Sequence, residues 1–184
     1  MINKALRTLY FYNAIFVLAG SLFGPLYAVY IEKIGGNVFI ISVSWALFLI
    51  SSTLFTYVIS KFGDTVREKE YLLMAGFLLR GVVWILYIFV GNLWFLMVLQ
   101  VLLGLGEALG SPSFDSLVAK HLDKGRFVEE YADMKIIFNL SAGLAAIIGG
   151  ALVAKFGFPT LFIIMAVLAL ICFFGILFKP RKLL

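Results

Sequence analysis

The sequence predicts an all-α membrane protein of six transmembrane helices, built as a 3+3 inverted repeat, and three observations carry that reading. Six apolar runs are each long enough to cross a bilayer. The composition, with 63% hydrophobic and 14% charged residues and a mean hydropathy of +1.07, suits solvation by lipid rather than water. Basic residues gather on alternate connections, as the positive-inside rule requires.

The runs fall at about 8–31, 37–60, 71–90, 93–120, 134–156 and 160–178, so residues 1–184 read as a single six-helix transmembrane domain with no room for an appended soluble one. A hydrocarbon core of about 30 Å needs roughly 20 helical residues. The first run follows Lys4 and Arg7 as a signal peptide would, but it is too long and leads into five more spans, so it reads as a retained helix. The second ends in Lys61, Phe62 and Gly63, and the third carries Arg80. The fourth holds Gln100, Glu107 and Asp115 among Gly104, Gly106 and Gly110, with Ser111 and Pro112 expected to kink its exit. The fifth carries Asn139 and several small residues and ends in Lys155, Phe156 and Gly157, while the sixth holds the single cysteine, Cys172, as core filler. One cysteine excludes an internal disulfide and a cysteine-based metal site.

Orientation follows from charge. Lys4, Arg7, Lys61, Arg67, Lys69, Lys120, Lys124, Arg126, Lys135, Lys179, Arg181 and Lys182 share one side, against Lys33 and Lys155 on the other. This places both termini in the cytoplasm of a multi-pass protein of the cell (inner) membrane. The repeat is read from Gly20, Gly24 and Pro25 in the first span against Gly106, Gly110 and Pro112 in the fourth, and from the matched ends of the second and fifth. Triplets of helices must enter the membrane from opposite sides, a habit of transporters.

Ionisable groups at membrane depth are the functional candidates, because a carboxylate there costs roughly 2.5 kcal/mol or more. At about 1.5 Å per residue, Arg80 and Glu107 both lie about 12 Å deep, so they can meet, either as a structural ion pair or as a solute- or proton-coupled site. Gln100 shares a face with Glu107 and is assigned to the same cavity. Asn13 and Asn139 complete the substrate and ion cavity candidates, with interhelical hydrogen bonding as their plainer role.

Six spans with cytoplasmic ends, a charged 2-3 loop, a glycine-rich fourth span with proline at its exit and a long basic 4-5 loop together resemble one half of a major facilitator superfamily transporter, over the whole chain. The family's 2-3 loop motif falls on Ser60, Asp64, Arg67, Glu68 and Lys69, where Asp64 and Lys69 keep their places. The fourth-span motif falls on Gln100, Leu103 and Gly104 without its arginine, and the fifth-span motif on Ala145, Ala146, Gly149 and Gly150 without its proline. By resemblance, Asp64, Arg67 and Lys69 form a cytoplasmic gate. The family uses two six-helix halves, so the resemblance also implies a partner, read as a second copy of the chain. In the family the second helix of each half packs on the fifth of the other; here Ser44, Ser51 and Ser52 would face Ala142, Ala146, Gly149 and Gly150.

No enzyme chemistry is expected. One histidine cannot build a histidine-cluster metal site, and no nucleophile, histidine and carboxylate lie at one depth. Gly104 and Gly106 sit inside an apolar helix with no preceding strand, which is not a phosphate loop. The expected function is secondary active transport of a small solute by alternating access, as a homodimer that reconstitutes twelve helices. The alternatives are a non-transporting membrane subunit or scaffold, or half of a heterodimeric transporter. Expected partners are the solute, the bilayer and a second copy, with no nucleic acid, no metal and no cofactor, and with protons or another cation as the possible coupling ion.

Overall fold

Residues 4–63, 65–66 and 68–180 are described by the computed structural model. They form seven helices: α1 (Lys4–Ser21), α2 (Tyr27–Lys33), α3 (Val38–Gly63), α4 (Glu70–Leu86), α5 (Leu93–His121), α6 (Phe127–Phe156) and α7 (Phe158–Leu177). A 3-10 turn at Gly24–Leu26 links α1 to α2, so the two make one span; another at Tyr87–Phe89 extends α4. Six helices are thus long and apolar enough to cross a membrane, and no strand occurs among the described residues.

Local chemistry sets the ends. Pro25 lacks an N–H and crowds the preceding turn, which breaks the first span. The Asn37 side chain accepts from the Ile40 N–H at 3.0 Å and that of Asn92 from the Phe95 N–H at 2.8 Å, starting α3 and α5. Gly157, at φ +78°, turns the chain from α6 into α7, where Pro159 sits in the first turn. α5 continues as helix on both sides of Pro112. One expectation needs adjusting. α6 begins at Phe127 rather than near Met134: Glu129 and Glu130 favour a helix N-terminus, and the Glu130 carboxylate accepts the Asp123 N–H at 2.9 Å. The helix therefore outruns the apolar stretch that announced it.

Packing follows a paired plan. α3 lies on α5 as α6 lies on α1, α4 lies on α5 as α7 lies on α1, and α4 packs on α7. Exchanging first with fourth, second with fifth and third with sixth spans maps these contacts onto one another, which supports the repeat. The exception is α6 on α7, whose counterpart between α3 and α4 is slight. At the end of the bundle away from the chain termini, Phe23, Tyr30, Tyr87, Phe158 and Phe162 pack mostly edge to face at 5.1–6.4 Å. The Tyr30 hydroxyl donates to the Tyr87 carbonyl at 2.8 Å.

Glycines let the backbones touch where lipid supplies no hydrophobic drive. A Cβ on Gly76 would lie 2.8 Å from both the Gly106 carbonyl oxygen and the Gly110 backbone; one on Gly104 would lie 2.8 Å from the Ser51 Cβ. A Cβ on Gly149 would press into the Leu22 carbonyl, whereas Gly150 next to it has nothing within 4 Å. Gly149→Ala is therefore expected to lower thermal stability in detergent by about 1–3 kcal/mol, and Gly150→Ala to leave it unchanged; equal melting of the two variants would contradict the α1–α6 seam.

Candidate functional site

Glu107 on α5 and Arg80 on α4 form an ion pair inside the bundle. Ser111, one turn further along α5, donates its hydroxyl to the other Glu107 oxygen. The guanidinium also lies over the Phe16 ring of α1, 4.2 Å from its centroid. Phe16 in turn packs on Phe77 at 4.4 Å and stacks on Trp84 at 5.4 Å. Gly106 makes room for the arginine stem, since a Cβ there would come 2.5 Å from the Arg80 Cγ. The pair is not sealed, for the side chains keep 17% and 30% exposure.

Beside the pair lies a cavity of about 160 Å³ between α1, α4, α5 and α6. Its polar lining is Asn13, Arg80, Ser111, Asp115 and Lys135, and its apolar lining includes Phe77, Phe114 and Phe138. Glu107, Ser111 and Asp115 recur every fourth residue, so one face of α5 carries polar groups from the ion pair to the cavity wall. Such a site, with paired charge, donors and acceptors, can hold a polar solute or exchange a proton on a carboxylate without exposing either charge to hydrocarbon.

The residues expected at this site do not all reach it. Asn13 and Arg80 line the cavity, and Glu107 adjoins it through Arg80 and Ser111. Gln100 does not: it is 2% exposed, and its amide donates to the Tyr27 and Tyr87 hydroxyls, the latter at 3.0 Å. Tyr27 passes the network to the Ser44 hydroxyl at 2.6 Å. The shared face with Glu107 is real, but seven residues along the helix two tyrosines enclose the amide. Asn139 is exposed on α6, away from the cavity lining. Of the gate candidates, Asp64 and Arg67 lie outside the described residues. Lys69 donates to the Ser116 hydroxyl at 2.9 Å, tying the start of α4 to α5 beside a second cavity of about 170 Å³.

The interface candidates divide in the same way. Ser44 and Ser51 are buried within the chain, Gly149 is buried against α1, and Ser52 abuts Gly104. These four positions serve packing inside the six-helix body, because close approach of α3 to α5 and of α6 to α1 consumes them. Ala142, Ala146 and Gly150 are half-buried, and Gly143 and Gly150 face open space. Three participants were missed. Lys135 appears in the sequence only among the basic residues of the cytoplasmic side, Asp115 only as a polar residue of the span, and Phe16 carried no signal at all. The four-residue spacing of Glu107, Ser111 and Asp115 was the available clue.

The Major Facilitator Superfamily model matches residues 9–183. The chain belongs to the major facilitator superfamily. It is 27% identical over 170 residues to the multidrug resistance protein MdtG of Escherichia coli (strain K12 / DH10B), and equally to that of Escherichia coli O1:K1 / APEC. The match covers 89% of this chain and 41% of each relative, so the chain spans about two fifths of their length. As a family member with six helices long and apolar enough to cross a membrane, it is an integral multi-pass membrane protein of a transporter family.

Because the Gln100 amide serves tyrosine hydroxyls and not the cavity, Gln100→Leu is expected to cost about 1 kcal/mol or more of stability, read as a lower melting temperature, while solute binding at the cavity is unchanged. A binding loss without a melting shift would return Gln100 to the site.

Proposed function

We propose that this chain is one six-helix body of a major facilitator secondary transporter that moves a small solute by alternating access, with the Arg80–Glu107 pair and its cavity as this body's share of the path. The observation that carries the reading is the ion pair itself. An ionisable pair at membrane depth, open to a polar cavity and held by Ser111 and Phe16, is costly to keep in a scaffold. The relatives' name, multidrug resistance protein, suggests a small-molecule solute. Glu107 is the group assigned to the coupling ion, a proton or another cation, because its protonation or cation binding would release Arg80. Both termini face the cytoplasm of the bacterial inner membrane in this proposal, supported by the excess of basic residues on that side.

Glu107→Gln is expected to abolish proton-driven solute accumulation in proteoliposomes while leaving solute exchange across the membrane intact. The amide preserves hydrogen bonding and removes titration. Unaltered accumulation and pH dependence in that variant would sink the coupling role.

The second six-helix body is proposed to be a second copy, inserted in the same orientation, since the family's halves are parallel repeats about the membrane normal. With Ser44, Ser51, Ser52 and Gly149 used inside the chain, the outward surfaces that remain are Ala46 on α3 and Ala142, Gly143, Ala146 and Gly150 on α6. In a Cys172→Ala background, Ala46→Cys is expected to crosslink to Gly143→Cys or Gly150→Cys between differently tagged chains. Transport by protein that stays monomeric in bilayers would refute the two-copy arrangement.

A further inference from the structure

We infer that the groove between the Tyr12 ring of α1 and the outer face of α7 holds a phospholipid with an anionic head, drawn from the leaflet at the end of the bundle that carries the chain termini. The groove has a volume of about 470 Å³, with Val167, Leu170, Ile171, Phe174 and Phe178 along one face of α7 and Lys179 at its mouth. From Val167 to Lys179, at about 1.5 Å per residue, it runs roughly 18 Å. One leaflet of a hydrocarbon core of about 30 Å is about 15 Å deep. An acyl chain lying along α7 therefore brings its head to Lys179.

The helix pairing accounts for the groove. In the equivalent pair, α5 on α4, the backbones close on one another at Gly76, Gly106 and Gly110. α1 meets α7 through a side chain instead: the Tyr12 ring occupies the place that a Cβ on Gly175 would take, and the Tyr12 carbonyl accepts from the Cys172 thiol at 3.1 Å. The ring so fixed is the second wall of the groove.

Chemistry selects the occupant. Thr160 and Cys172 are the only hydrogen-bonding side chains of α7, one at the far end and one buried, and Gly175 is already covered by Tyr12. The exposed face thus lacks the polar and small residues through which helices associate in a bilayer, and it suits acyl chains. At the mouth the Lys179 Nζ stands 5.8 Å from the Tyr12 ring centroid. Lys4 and Arg7 lie on the exposed face of α1 that leads to Phe11, whose ring packs edge-on against Tyr12 at 5.3 Å. Glu68 and Glu70 share a separate, smaller cavity with Lys179 on its α4 side, and no carboxylate lines the groove among the described residues. With Arg181 and Lys182 next in the sequence, the balance at this corner is positive, which favours an anionic head.

Binding can be read without transport and in vesicles of either orientation. In a Trp45→Phe, Trp94→Phe background, Phe174→Trp places a fluorophore in the groove, while Trp84, 5% exposed, adds a constant signal shielded from lipid. Leu78→Trp, on the exposed side of α4, is the reference position. Brominated phosphatidylglycerol and brominated phosphatidylcholine are the probes, each titrated into phosphatidylcholine vesicles. At Phe174→Trp, brominated phosphatidylglycerol is expected to quench as though enriched about fivefold over its mole fraction, the scale that one cation at a membrane surface supplies. Its enrichment at Leu78→Trp is expected to stay below about twofold, and brominated phosphatidylcholine to follow its mole fraction at both positions. Lys179→Gln is expected to cut the enrichment in the groove about threefold. Val167→Phe with Ile171→Phe, which narrows the groove without changing charge, is expected to do the same. Phe178→Trp is the second reporter if Phe174→Trp does not fold. Equal enrichment at groove and reference would assign the effect to the basic surface as a whole. Enrichment unchanged by Lys179→Gln or by the narrowed groove would remove the site, and absence of any lipid quench in the groove would put a protein chain, a second copy included, over α7. Each of these results overturns the inference.

Discussion

A guanidinium and a carboxylate inside an apolar bundle must compensate each other, and much of this fold is arranged so that they do. Taking one partner of a buried pair away typically costs about 3–5 kcal/mol, because the other charge stays behind. The pair therefore demands a fixed distance between α4 and α5. Gly76, Gly106 and Gly110 supply it by letting the two backbones meet, with Gly106 clearing the Arg80 stem. Ser111 occupies the second carboxylate oxygen and Phe16 the guanidinium face, which ties α1 into the arrangement. What accessible surface the pair keeps is mostly on the Glu107 side, while Arg80 Nε is buried without a hydrogen-bond partner among the described residues.

The same glycines show how a repeat can persist in helix pairing while its residues change purpose. Gly106 and Gly110 of the fourth span, matched in sequence to Gly20 and Gly24 of the first, suggested the two triplets. Yet Gly106 and Gly110 bring α5 against α4, whereas Gly20 meets only the rim of Trp84 at ordinary contact distance and Gly24 meets nothing within 4 Å. The seam equivalent to α3 on α5 is α6 on α1, and there the close approach comes from Gly149 of the fifth span against Leu22. Pairing survives because any small residue on either helix permits it.

What the sequence disclosed follows from what length and charge encode. Six runs long enough for a bilayer fixed the spans, and their ends erred where a charged helix continues past the membrane, as at Phe127 to Asp133 in α6. Counting depth brought Arg80 and Glu107 to one level, and there they meet. Depth says nothing about facing partners, however. α5 is apolar around most of its circumference, so periodicity could place Gln100 on the Glu107 face but could not foresee Tyr27 and Tyr87 closing over it. The serines on α3 looked outward for the same reason: small residues mark close approach without naming the helix that approaches.

The outward faces of α3 and α6 are where lipid and protein have to be told apart. Burial does not decide it, because α3 buries only Ser44, Ser51 and Ile59, and an apolar helix surrounded by acyl chains is content to do so. Polar groups are more informative. Ser42 and Thr53 on α3 are exposed but bond back to the Val38 and Leu49 carbonyls one turn earlier, which makes them tolerable to lipid. Asn139 on α6 is exposed, near the middle of its helix, and its side-chain amide has no hydrogen bond among the described residues. An amide so placed gains nothing from hydrocarbon and needs water or another polar surface. In the proposed transporter this face of α6 therefore borders the central path or the second six-helix body, and the exposed amide, rather than the extent of bare apolar surface, is the reason to put it there.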